Sequence, residues 1–425
     1  MQSPAVSPIA FLRRLGRDPQ LRNADFRRFW FSSILTNFGA QITLLALPIT
    51  AALLLHATPA QMGALAAIGS LPFLLFGLPT GVLLERSRRL PVMLCSDAMV
   101  ALGLASVPLA WWLGWLDIHW IYVVEFMIGT GYVVGGGAEQ VFLTFLVGRE
   151  GQIDARAKMG VTESASRLLG PGMAGILVQA LGAPFAILCN VAGFSVSILN
   201  LRRIRAREPE PAPPQAHALR DMLDGLSFVW RHPLLRMLAW TSGGWHLLFY
   251  AYTALYVLFA TRVLGMSPGL MGTAQMLGGV GVLVSSMLLK PLTTRFGTGA
   301  TMIIGLFATT IGFVLMPAIP RALFGSTAAS AFAYALVVFW LDCGAQLFFL
   351  PFLALRQHVT PDEFLGRMTS TMRFLTVATA PLGAAGAGLL GERFGVRGGL
   401  AWVACGAVLL TLGSWFGTSL RHVKA

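Results

Sequence analysis

The sequence predicts an all-α polytopic membrane protein: twelve transmembrane helices in two six-helix lobes related by pseudo-symmetry. Three observations carry this. Of 425 residues, 56% are hydrophobic and only 12% are charged, with mean hydropathy +0.70, whereas a soluble domain carries about 25% charge. Twelve mostly apolar runs reach the roughly 20 residues that a membrane helix needs. The chain also repeats itself at an offset of about 209 residues.

The repeat is read from matches in order and in register. His56-Ala-Thr-Pro-Ala-Gln-Met-Gly-Ala64 recurs as Gly265-Met-Ser-Pro-Gly-Leu-Met-Gly-Thr273, so Pro59, Met62 and Gly63 become Pro268, Met271 and Gly272. The same offset carries Arg27 onto Arg236, Arg86 onto Arg295 and Lys158-Met159 onto Arg367-Met368, and Pro171 recurs as Pro381 with one residue added. Two related halves in a polytopic protein point to a transporter with its site between them.

The runs are 29–55, 62–84, 91–114, 118–147, 159–181, 184–201, 235–261, 270–290, 299–318, 326–354, 368–391 and 398–419. Only Leu181-Gly-Ala-Pro184 separates the fifth from the sixth, and Gly with Pro marks a tight turn there. The organisation is a tail (1–28), an N-terminal lobe (29–201), a linker (202–234), a C-terminal lobe (235–419) and a short tail (420–425). The first 28 residues are polar and Arg-rich, unlike a cleavable signal.

Net charge is +13, but the basic residues sit in short blocks between apolar runs, which is topology signalling rather than nucleic-acid binding. Twenty-five of the 31 basic residues fall on one side with both termini; Arg262, Arg321, Arg393 and Arg397 fall on the other, and Arg167 and Arg373 lie within spans. That bias places both termini in the cytoplasm. Trp111, Trp112, Trp115 and Trp120 flank the external turn between spans 3 and 4 as an aromatic belt. Cys95, Cys189, Cys343 and Cys405 lie in apolar runs without ligand spacing, so no metal and no cofactor are expected.

In the linker, Glu208-Pro-Glu-Pro-Ala-Pro-Pro214 is stiff and non-helical. After it, Leu219, Met222, Leu223, Leu226 and Val229 recur at helical spacing opposite Arg220, Asp221 and Asp224. This predicts an amphipathic helix on the cytoplasmic face.

Span 2 ends in Gly81-Val-Leu-Leu-Glu-Arg-Ser-Arg-Arg89. Gly81 would let two helices approach closely, and Glu85 beside Arg86 and Arg89 could pair or cap a helix across the lobe interface. A plain basic loop would account for the arginines, but not for the Gly and Glu spacing. The segment resembles the cytoplasmic signature of the major facilitator superfamily, Gly-x-Leu-x-Asp-Arg-x-x-Arg-Arg, with Glu85 for the aspartate. The resemblance implies a gate latch carried by Gly81, Glu85, Arg86 and Arg89; Lys290-Pro-Leu-Thr-Thr-Arg295 keeps only the arginine. Span 5 holds Ser166-x-x-x-Gly170-Pro171-Gly-Met-Ala174-Gly175, similar to the Gly-x-x-x-Gly-Pro-x-x-Gly-Gly motif of exporting members. Small residues and a proline suit a tightly packed, kinked seal. Asn23-Ala-Asp-Phe-Arg-Arg-Phe-Trp30, Leu44-Leu-Ala-Leu-Pro48, the stretch from Leu219 to Pro233 and the one from Arg356 to Arg367 resemble the macrolide-efflux and enterobactin-exporter group. The resemblance implies the major facilitator fold and export of a drug or siderophore-like small molecule.

Two departures matter. Many such exporters carry an acid after the glycine of span 1, where Gly39 is followed by Ala40 and Gln41. Other proton-driven antiporters carry an arginine in span 4, which has none here. Proton coupling cannot run through those positions.

Charge inside a span is costly and usually functional. Glu139 lies nine residues from Gly148 and Arg167 nine from Lys158, so both sit roughly 13 Å deep. Glu139, Arg167 and Glu163 are expected to form one buried cluster, with Glu139 protonation freeing Arg167; a structural ion pair is the alternative. Glu125 on span 4 is a further candidate. Asp342 on span 10 is the candidate lone titrating carboxylate. Asn37, Gln41, His246 and Tyr250 are candidate substrate contacts, since spans 1 and 7 line the cavity in the resembled fold; His246 could instead be a core histidine bonded to a neighbouring helix. Asp97 is expected to be structural, close to the loop between spans 2 and 3.

No phosphate-binding loop and no paired catalytic residues are present, so an enzyme is not expected. The expected function is secondary active export of a small amphipathic molecule by alternating access, with protons as the coupling ion, from a monomer in a bacterial cytoplasmic (inner) membrane. A lipid or lysophospholipid flippase or a metabolite importer of the same fold is the alternative.

Overall fold

A computed structural model describes residues 19–77, 79–208, 218–361, 364–417, 420 and 423. Most of the N-terminal tail and the proline-rich stretch after Glu208 lie outside these residues. The described chain is an all-helical bundle.

Ten segments are long and apolar enough to cross a membrane. They supply α1 (Ala24–Leu54), α2 (Pro59–Phe76), α3 (Arg89–Trp112), α4 (Ile118–Gly148), α6 (Ala183–Arg202), α7 (Pro233–Val263), α8 (Pro268–Phe296), α9 (Thr298–Ala318) and α10 (Thr327–His358). The tenth, Leu365–Phe416, doubles back at Gly395 and yields α11 (365–394) and α12 (396–416). Helix α5 (149–181) follows α4 directly; Arg167 and polar residues lower its apolarity. Gly148 (φ 66°) and Gly395 (φ 75°) each reverse a helix within one residue, a backbone region that disfavours other side chains. The turn expected at Leu181-Gly-Ala-Pro184 is present, with Gly182 at φ 81°.

Local chemistry starts each rod. Asn23 accepts from the Asp25 and Phe26 amides and opens α1. Thr58 and Gln61 form a reciprocal capping box at α2, with Pro59 in the first turn. Ser267 caps α8 one-sidedly, its hydroxyl accepting from the Leu270 amide, with Pro268 following. The sequence repeat is therefore a repeated helix start. It also reappears where no sequence match flags it: α1 ends in a π-helical turn at Thr50–Leu54 and α7 in one at Phe259–Val263. Later in each half the structural register slips. Pro171 and Gly175 have Ala384 and Gly388 as their spatial counterparts, each carrying the same contact onto the repeated glycine. The sequence alignment of Pro171 with Pro381 is thus three residues out.

Within the N-terminal lobe, Gly39 of α1 faces Asn190 of α6, Gly129 of α4 faces the Gly69 carbonyl of α2, and Gly131 of α4 faces Val100 of α3. In the C-terminal lobe, Gly383 of α11 faces Leu247 of α7, Gly305 of α9 faces Gly344 of α10, and Thr310 of α9 bonds Thr411 of α12 at 2.7 Å. Small residues allow such close approach where no hydrophobic drive joins helices.

The buried side chains fall into three clusters. One runs across both lobes at the end away from the termini, from Leu45 and Ile121 to Phe259 and Val337. The other two lie at the basic end, one per lobe: Phe26, Phe29 and Phe142 in the first, Met302, Phe348 and Met368 in the second. The lobes share a core at the far end and part at the basic end.

The linker helix (Ala218–Arg231) is present, but it docks on α11 rather than lying free on a surface. Gly225 meets the Arg367 backbone and Thr371, Phe228 stacks on Phe364 at 4.9 Å, and Val229 is fully buried. Leu226, expected on the packed face, is exposed because that face is carried by Gly225, Phe228 and Val229. The side chains of Leu219, Met222 and Leu223 lie outside the described residues. Trp111, Trp112, Trp115 and Trp120 are all exposed, as an aromatic belt requires.

Candidate functional site: a seam between two lobes

The seam is tightest at the far end. Gly63 of α2 stands against Gly388 of α11, and Gly272 of α8 against Gly175 of α5; a Cβ on Gly272 would lie 2.8 Å from the Gly175 Cα. The Arg262 guanidinium donates to the Ala52 carbonyl at 2.6 Å, joining the two π-helical turns across the lobes. The Tyr256 hydroxyl reaches the Leu44 carbonyl at 3.4 Å.

The span 5 motif lies in this seam. Gly170 admits the Gln41 side chain of α1, the Pro171 carbonyl and Gly175 meet Gly272, and the Ser166 hydroxyl turns back to the Glu163 carbonyl at 2.9 Å. Gln41, a candidate substrate contact, packs its stem into the notch that Gly170 leaves.

At the basic end the seam is open. Gly81 has nothing within 4 Å of the position a Cβ would take, and Glu85 and Arg86 are exposed. The close helix approach expected of Gly81 is therefore absent, because the lobes have parted there. Among the described residues Glu85 caps no helix. Glu208, arriving from the linker, accepts from the Arg89 and Leu90 amides at 2.7 Å each, with the Arg89 guanidinium at 3.8 Å. Its side chain is only 3% exposed. The Arg205 and Ala206 amides bind Asp25 in turn. The sequence places Glu208 far from α3, and only the fold brings them together.

The membrane acids separate into three environments. Glu163 and Arg167 pair at 3.0 Å as their spacing predicts, but each side chain is 57% exposed. Glu139 is not in that pair: it hydrogen-bonds Ser33 of α1, with Glu163 in electrostatic reach. The single buried cluster is thus corrected: the Glu163–Arg167 pair is mostly exposed, and Glu139 reaches it only through Glu163. Glu125 packs on Gly69 of α2, in electrostatic reach of Tyr250 and Tyr256 of the other lobe. Asp342 packs on Gly278 of α8, with Arg167 of the other lobe in reach, so it is less solitary than expected.

Asp97 departs most from expectation. It lines a cavity of about 340 Å³ inside the N-terminal lobe together with Glu139, Asn37, Ser33 and Tyr132. It accepts from Ser197 of α6 at 2.9 Å. Asp97 lies eight residues into α3, about 12 Å, the same depth as Glu139; judging both by distance from the helix end would have found it. Asn37 is on the cavity wall with its amide turned to the Ser33 carbonyl at 2.8 Å. His246 binds the Ser242 carbonyl of its own helix at 2.8 Å and edges Phe349 of α10, so the neighbouring-helix bond is not formed. Among the described residues no group of three or more His, Cys, Asp or Glu could hold a metal.

Residues 29–375 match the family model described as the Major Facilitator Superfamily. The chain belongs to this superfamily. Its members are transporters, not enzymes. It is 24% identical over 412 residues to the uncharacterized MFS-type transporter YfiS of Bacillus subtilis (strain 168), covering 90% of each chain. It is 25% identical over 413 residues to the multidrug efflux pump Tap of Mycolicibacterium fortuitum, covering 92% of this chain and 95% of Tap. Macrolide efflux protein A of Streptococcus pyogenes is 22% identical over 340 residues, covering 78% and 80%. In fold, the nucleoside transporter NupG superposes with a TM-score of 0.74 at 12% identity, covering 95% of this chain and 100% of NupG. The superfamily fold agrees with the two-lobe bundle.

Proposed function

We propose that the protein is a secondary active exporter of a small amphipathic molecule, drug-like or siderophore-like, working by alternating access with proton antiport. In this reading the chain crosses a bacterial cytoplasmic membrane twelve times as a monomer, with lobes 29–201 and 235–419 joined by the linker 202–234. Both termini face the cytoplasm, as the basic bias argues.

The observation that carries the reading is the three-part core: shared at the far end, divided at the basic end. With the basic end cytoplasmic, the seam opens toward the cytoplasm, where an exporter loads. The likeness to Tap and to macrolide efflux protein A supports the outward direction. Glu125 and Asp342, one per lobe, with Tyr250 and Tyr256, suit a molecule with a cationic end and an apolar body.

Expression in a bacterial strain stripped of its other efflux pumps tests this. A raised inhibitory concentration for macrolides or amphipathic dyes, with lower intracellular accumulation, is expected. Raised accumulation would instead mark an importer.

A further inference from the structure

The cavity inside the N-terminal lobe is separate from the seam. Its walls come from α1, α3, α4 and α6, none of them contributed by the other lobe. Two carboxylates face it, Asp97 from α3 and Glu139 from α4, within electrostatic reach of one another. Asp97 accepts from the Ser197 hydroxyl of α6 at 2.9 Å, and Glu139 interacts with Ser33 of α1. Among the described residues no Lys, Arg or His lines the cavity.

An independent observation marks it as built for an occupant. The Tyr132 hydroxyl on its wall is buried and has no hydrogen-bond partner among the described residues, and an unmade bond of this kind is costly in a core. Tyr132 also lies in electrostatic reach of both Asp97 and Glu125. It is seven residues from Glu125 on α4, two turns along one face. The cavity is thereby connected through one helix to an acid on the substrate seam.

We propose that this cavity is the coupling-cation site, where Asp97 and Glu139 hold one proton in common, and that substrate binds elsewhere, in the seam. Two facing carboxylates without a balancing cation favour a shared proton. The titratable groups around the site are Asp97, Glu139 and Tyr132 on its walls and Glu163 of α5 in reach of Glu139, Glu163 being itself paired with Arg167 outside the cavity; α1 and α6 contribute Ser33, Asn37 and Ser197, which do not titrate. Proton binding relaxes the repulsion between α3 and α4, and α4 carries that change to Glu125. Coupling is then indirect, and proton and substrate do not compete for one carboxylate.

This rests on the proton-antiport reading, and the test separates the two. Purified protein in liposomes is assayed with a labelled macrolide in two modes: accumulation driven by a pH gradient, and exchange at equal pH on both sides. Wild type is expected to do both. Asp97→Asn and Glu139→Gln are expected to lose accumulation and keep exchange, and Asp97→Glu to keep both. Intact exchange shows that a variant is folded. Wild type without gradient-driven accumulation, or driven by sodium instead, overturns the antiport reading itself. A coupled wild type whose two neutral variants still accumulate overturns only the cavity assignment. Loss of exchange in both neutral variants, with Asp97→Glu active, would place substrate in the cavity and overturn the separation of sites.

Discussion

Glu392 on α11 accepts a hydrogen bond from the Ala60 amide in the first turn of α2, at 3.1 Å. One repeat away, Gln179 on α5 accepts from the Gly269 amide in the first turn of α8, at 3.0 Å. Each bond crosses the lobes and satisfies an amide that helix geometry leaves orphaned. The two are chemically unequal, because only the Glu392 carboxylate also gains from the helix dipole. Together with the glycine contacts they close the far end of the seam.

Removing this cap should loosen the far end. Glu392→Ala is expected to cost the closed form about 1 kcal/mol. Spin labels at His56 and Arg393 would then show a larger population at long distance. An unchanged distance distribution would mean the bond does not hold the gate.

The glycine seam allows a sharper test. Gly272→Leu places side-chain atoms where the Gly175 backbone stands, so the form closed at the far end cannot assemble. Transport in liposomes should vanish while helical content by circular dichroism persists. Gly81→Leu meets open space in this form and should leave it intact; a Gly272→Leu protein that still transports would refute the seam.

Glu208 is buried and bonded twice to the start of α3. Glu208→Ala should destabilise the basic end of the N-terminal lobe by roughly 2 kcal/mol. Thermal unfolding in detergent would show a lowered Tm, whereas Glu85→Ala, at an exposed position, should leave it unchanged. Equal effects from the two substitutions would return the capping role to Glu85.

The Glu163–Arg167 pair is mostly exposed, so Arg167→Ala should alter stability by no more than about 0.5 kcal/mol. Efflux should nevertheless fall, since Arg167 also stands within reach of Asp342 across the lobes. A large drop in Tm would make the pair structural.

Outside the spans, the Trp120 amide and then the His119 side chain hold the Asp117 carboxyl below its ordinary value of 3.8. Because the folded value is depressed, this cap stabilises α4 above the ordinary value and is lost as pH falls through the lowered one. Hydrogen exchange at the Trp120 amide should therefore quicken on acidification through that window. Exchange equally fast on both sides of it would show that the cap contributes nothing.

The architecture was legible because its causes are local. Apolar length sets the rods, and Thr58-Pro59 and Ser267-Pro268 announce two equivalent helix starts. The repeated glycines could be seen, but not their partners: Gly388 and Gly175 lie on helices far along the chain. The same limit explains Glu208, whose role depends on where the linker returns, and Gln41, which fills a notch made by Gly170. Asp97 is a different case. Its depth, equal to that of Glu139, is readable from helix length alone; what is not readable is that α3 and α4 face one cavity.

The most direct measurement is macrolide uptake into inverted membrane vesicles carrying the protein, with the interior made acid. Proton-coupled export predicts accumulation that collapses when an ionophore dissipates the gradient and that is absent from vesicles lacking the protein. Uptake indifferent to the gradient, or appearing only when the interior is made alkaline, would contradict it.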